Sequence, residues 1–150
     1  MSRRMPAAIV LAVALLSLAT TVRAQDVGVR AGVSADPDQF YFGAHLYTGP
    51  VVERLRFRPN VEVGVGDNLT VTTVNLEFVY PIPFTRSPWR MLVGAGPALV
   101  FASHDGFHHS GAGFNILFGA EHRDGFFTEV KVGAIDSADL KFGVGYTWRQ

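Results

Sequence analysis

The side chains able to do chemistry are few, and most sit where their neighbours argue for something plainer. Three imidazoles and a carboxylate fall within six residues, at His104, Asp105, His108 and His109. Such a set could offer ligands to zinc or copper, but a metal centre needs its ligands fixed at set spacing on rigid elements. Gly106 and Gly111 punctuate this stretch, and the composition supports a solvated, glycine-hinged loop with no bound metal. Glu129 and Lys131 stand two apart, so an extended chain puts them on one face as an ion pair rather than as acid and base. Tyr41, His45 and Tyr47 share a face by the same alternation, which predicts an internal hydrogen-bond network rather than a proton relay. Asn68-Leu69-Thr70 has the form of a glycosylation acceptor and reads as a turn. Nothing in the sequence calls for a cofactor.

The elements that must carry these residues begin after a leader. Met1-Ser2-Arg3-Arg4 is a basic start, Ala7 to Ala19 is almost wholly apolar, and Val22-Arg23-Ala24 offers small residues before a cut. That three-part pattern predicts a cleaved signal peptide over residues 1–24, because its apolar core is shorter than the roughly 20 residues a spanning helix needs. Residues 25–150 then form one domain of 126 residues. Loss of Arg3, Arg4 and Arg23 leaves ten basic against thirteen acidic side chains, a mature charge of about −3 that argues against nucleic acid as a partner. There is no cysteine, so an exported chain must hold together without disulfides.

Alternation with period two recurs along the mature chain and predicts eight strands: 27–33, 40–47, 55–66, 72–80, 89–101, 112–121, 126–135 and 140–148. Turn chemistry separates them, at Asp36-Pro37-Asp38, Thr48-Gly49-Pro50, Gly66-Asp67-Asn68, Pro81 to Pro88, Ser103 to Gly111, Arg123-Asp124-Gly125 and Asp136 to Asp139. Pro59 and Pro97 fall in strand interiors, where each removes a ladder hydrogen bond, and local bulges are expected there.

Once each strand is phased by its apolar residues, the charges give an independent check. Arg30, Arg56, Arg58, Glu62, Glu77, Arg90, Glu121, Glu129, Lys131 and Lys141 all share the face that holds the strand glycines. The other face carries no charge and is mostly valine, leucine and phenylalanine. A small closed barrel has an interior just wide enough for side chains, which favours glycine beside a few long residues. A membrane-spanning barrel turns its apolar face to lipid and its polar face inward. The pattern therefore predicts an eight-stranded antiparallel up-and-down transmembrane β-barrel whose interior charges neutralise one another. With an even strand count, Tyr80, Trp89, Tyr146 and Trp148 gather at the rim that carries the termini.

The leader, the eight strands and the aromatic-alternating last strand from Leu140 to Trp148 resemble the small outer-membrane β-barrel superfamily. Its members include the transmembrane domain of the A-type outer-membrane protein, its X-type relative and the opacity proteins, and the resemblance spans Val27 to Trp148. It implies an outer-membrane location in contact with lipid, recognition of Leu140 to Trp148 by the barrel-assembly machinery, and a monomeric, non-enzymatic protein with a structural or surface-interaction role. The final strand usually ends in an aromatic; here Arg149 and Gln150 follow Trp148. One member of the architecture, the lipid-A deacylase, carries a His-x-Ser pair near the end of its seventh strand. Here Ile135 stands two before Ser137, so no base accompanies that hydroxyl, and Asp136 to Asp139 reads as a polar turn. The alternative reading is a secreted soluble barrel of lipocalin or avidin type with a small hydrophobic ligand, which would require an apolar interior.

Overall fold

The computed structural model describes residues 26–150; the expected leader, 1–24, lies outside them. The strands are β1 (Asp26–Ala35), β2 (Gln39–Tyr47), β3 (Pro50–Val52), β4 (Leu55–Gly66), β5 (Leu69–Pro83), β6 (Trp89–His104), β7 (Phe107–His122), β8 (Phe126–Ile135) and β9 (Leu140–Trp148). Each of the eight long strands pairs antiparallel with its neighbours, β1 with β9 and β2 with β4, so the sheet closes on itself. The backbone of a closed sheet has no unpaired edge, the condition for crossing hydrocarbon on strands.

Three details depart from the sequence expectation. β3 is a three-residue strand paired with β4 across a register shift, where only a turn was expected; two consecutive valines are too short a run to show a period. The histidine segment is not a loop. β6 runs to His104 and β7 resumes at Phe107, leaving the two-residue turn Asp105-Gly106 with φ of 44° and 84°. An Asp-Gly pair with both residues in the left-handed region makes the tight hairpin turn whose twist matches the strands. Asp67 and Asn68, with φ of 40° and 62°, turn β4 into β5 in the same way.

The prolines also behave otherwise than expected, for neither makes a bulge. The β4–β5 register is unshifted through Pro59↔Leu76, and the β2–β4 pairing simply ends at His45↔Asn60. Pro97 keeps its pairing with Phe114, while the β5–β6 pairing lapses between Asn75↔Ala98 and Phe78↔Ala95 and resumes in the same register. A missing N–H deletes a ladder bond but inserts no residue, so the strand can stay in phase.

The facing is inverted relative to a soluble protein. Val29, Phe42, Phe114, Phe118, Val132 and Phe142 are exposed on the outer surface, whereas Arg58, Glu62, Glu77, Glu129 and Lys131 are buried inside. Glycine makes this interior possible. A Cβ at Gly28 would run into the His45 ring, and one at Gly145 into the Phe127 ring, so large inward side chains lie against strands stripped of their own.

Candidate functional site: the charged lumen and its two mouths

The centre of the barrel is an ion-pair lattice contributed by five strands. Arg30 Nη1 donates to Glu129 Oε1 at 2.6 Å and to Glu62 Oε1 at 3.3 Å. Arg58 Nη2 donates to Glu77 Oε2 at 2.8 Å and to Glu129 Oε2 at 2.7 Å. Lys131 Nζ lies 2.8 Å from Glu62 and 2.6 Å from Glu77, and Lys141 Nζ lies 2.7 Å from Glu62. The neighbours Glu129 and Lys131 are 3.8 Å apart, a longer contact than Lys131 makes with either of the other two carboxylates. Each carboxylate thus bridges at least two cations. An ion taken out of water is tolerable only with such partners, because desolvation must be offset by close opposite charge and hydrogen bonds.

Beside the lattice runs a polar ladder that sequence reasoning missed. Asn75 Nδ2 donates to Asn60 Oδ1 at 2.7 Å, and Asn115 Nδ2 donates to Asn75 Oδ1 at 2.8 Å. Asn75 reaches Asn115 across β6, where Gly96 and Ala98 leave room. The inward parity of the three asparagines was the available signal. Below the lattice, Tyr47, Val79, Leu92 and Leu117 form a buried apolar plug toward the termini. His45 sits edge-on to Tyr47 and Phe127, with its Nε2 at 2.9 Å from Thr147 Oγ1.

At the end that carries the termini, Arg56 Nη2 donates to Asp26 Oδ2 at 3.0 Å. Arg90 Nε donates to Glu121 Oε2 at 2.7 Å, and Arg149 Nη2 lies 3.2 Å from Glu121 Oε1. Asp26 and Arg149 are additions of the structure, since they sit at strand ends where alternation gives no phase. Trp89, Tyr146 and Trp148 are exposed at this rim, with the last two rings 5.4 Å apart.

At the opposite mouth a cavity of about 230 Å³ is lined by Tyr41, Lys141, His109, Asp136 and Ser137 among others. The Tyr41 and Ser137 hydroxyls are buried and make no hydrogen bond. Ser137 therefore has no base in contact with it, although His109 lines the same cavity, and Ile135 points outward at 84% exposure. The histidines do not converge. His108 and His109 are consecutive on β7 and so face opposite sides of the sheet, and His104 Nδ1 is engaged with Asn68 O at 3.0 Å. Among the described residues no three His, Asp or Glu side chains gather where an ion could sit.

A closed eight-stranded antiparallel barrel has counterparts among solved structures. The N-terminal β-barrel domain of Pseudomonas aeruginosa OprF is similar with a TM-score of 0.63 at 13% identity, over 85% of this chain and 98% of that one. Neisserial surface protein A is similar with a TM-score of 0.65 at 11% identity, over 85% and 96%. The fold is that of a small outer-membrane barrel. The outer membrane enzyme PagL shares it more distantly, with a TM-score of 0.52 at 14% identity over 83% of this chain and 99% of that one. No protein-family model matches the sequence, and no curated protein matches it.

Proposed function

We propose that the protein is a non-enzymatic barrel of a Gram-negative-type outer membrane, with a structural or surface-interaction role in the envelope. The observation that carries this reading is the inversion itself. Valines and phenylalanines form an exposed band around the barrel while the strand charges are paired in its lumen. A soluble lipocalin-like barrel needs the reverse facing, with an apolar lumen for its ligand. The same reading has the chain exported on the leader of residues 1–24 and engaged by the barrel-assembly machinery through Leu140 to Trp148, then resident in lipid as a monomer.

A boiled and an unboiled sample of the detergent-extracted membrane fraction, run side by side on a denaturing gel, test it. The folded barrel should migrate apart from its boiled form and start near Gln25 by mass. A protein recovered wholly in the soluble periplasmic extract would overturn the reading. A lipid hydrolase is the competing reading, drawing on the likeness to PagL and on the Ser137 and His109 side chains in one cavity. The free Ser137 hydroxyl argues against it, since nucleophilic catalysis needs a base within hydrogen-bond reach. Release of fatty acid from lipid A by the wild type and not by Ser137→Ala would favour the hydrolase.

A further inference from the structure

The rim that carries the termini holds a cleft of about 400 Å³ between the β5–β6 turn, Trp89 and four arginines: Arg86, Arg90, Arg123 and Arg149. Among the described residues no acidic side chain lines it. Arg90 and Arg149 share the single buried carboxylate of Glu121, at 2.7 and 3.2 Å. Arg86 and Arg123 have no carboxylate within ion-pair distance among the described residues. The walls are fixed to one another, because Arg123 N–H donates to Pro88 O at 2.8 Å and ties the β7–β8 turn to the β5–β6 turn. Four guanidiniums with one carboxylate between them repel one another unless an anion settles among them. The guanidinium fork is the side chain best matched to phosphate oxygens.

Position selects the kind of phosphate. Trp89 forms one wall of the cleft and is exposed at 37% toward the outside of the barrel, in the aromatic rim that marks the interface of a spanning barrel. The basic character is also local. The four turns at the opposite end carry Asp36, Asp38, Asp67, Asp105, Asp136 and Asp139 and no lysine or arginine. We propose that this cleft binds the phosphate of an anionic phospholipid headgroup in the leaflet on the side of the termini. The proposal rests on the membrane-spanning reading given above.

The test places the full barrel in bilayers of phosphatidylcholine with and without phosphatidylglycerol, releases it gently into detergent, and weighs the retained lipid by native mass spectrometry. The wild type should keep phosphatidylglycerol in preference to phosphatidylcholine. Arg86→Gln combined with Arg123→Gln should lower that preference about tenfold for each guanidinium removed, the usual loss with one charge-assisted hydrogen-bond contact. Both residues are exposed and outside the ion lattice, so the variant should fold. Arg54→Gln, a change of charge at the same end but away from the cleft, should leave the preference intact. Equal retention of both lipids by the wild type would overturn the inference, as would a loss from Arg54→Gln equal to that of one cleft arginine. Saturable inorganic phosphate binding without lipid preference, abolished in the double variant, would make the cleft a site for a soluble phosphate and overturn the lipid assignment. A barrel that never entered the bilayers would defeat the membrane reading first, whereas one that entered without lipid preference would defeat only this inference.

Discussion

At the scale of single residues, the lumen behaves as one electrostatic object. Four cations, Arg30, Arg58, Lys131 and Lys141, meet three carboxylates, Glu62, Glu77 and Glu129, and every carboxylate serves more than one cation. Glu129 joins Arg30 to Arg58 at 2.6 and 2.7 Å, and all three are buried. Glu129→Gln keeps the volume but leaves two guanidiniums short of an anion away from water. The expected loss is about 3–5 kcal/mol, the usual consequence of removing one member of a buried pair. Asp26→Asn, at the partly wetted Arg56 pair, should lose about 0–1 kcal/mol. Urea unfolding of both variants in lipid vesicles, followed by tryptophan fluorescence, checks the contrast. Equal losses would mean that the lumen is wet throughout and the lattice is not buried. The inward facing of the lattice residues could be read from alternation, because a charge on the apolar outer face has no partner there. Who pairs with whom could not, since Arg30 and Glu129 are 99 residues apart and meet only through barrel closure.

At the scale of strands, period two carried most of the information. β4, β8 and β9 begin and end where their alternating runs do, at Leu55 and Gly66, Phe126 and Ile135, and Leu140 and Trp148. What escaped was governed by turns and hairpin twist rather than by facing. The Asp105-Gly106 turn let β6 and β7 extend into a segment whose histidines had suggested a loop, and that extension separates His108 from His109 by face. The facing itself has a direct consequence. Val63 lies on the outer side of β4, paired with Phe42 and Thr72, while its neighbours Glu62 and Gly64 point inward. Val63→Arg should therefore destabilise insertion by about 2–4 kcal/mol if the site lies near the midplane, as a guanidinium loses water to hydrocarbon. Refolding yield and urea midpoint in vesicles measure this. Unchanged insertion would show that the valine row does not face lipid.

At the scale of the whole molecule, the two ends of the described chain complete the wall. β1 and β9 pair from Val27↔Trp148 to Ala35↔Leu140, so the first strand made has to wait for the last. Every ladder between them depends on that seam, since removing β9 would leave the edges of β1 and β8 unpaired, and in the membrane setting proposed above each unsatisfied backbone group would cost several kcal/mol. The lattice depends on it as well, because Lys141 on β9 supplies one of the cations on Glu62. A chain ending at Asp139 should thus give no partly stable seven-stranded sheet. It should lose the heat-modifiable gel band entirely and become sensitive to protease along its length, while Arg149 and Gln150 can be removed without loss of the folded band. A truncated chain that kept a protease-resistant, heat-modifiable form would show that closure through β9 is dispensable, and that the wall is held by local hairpins alone.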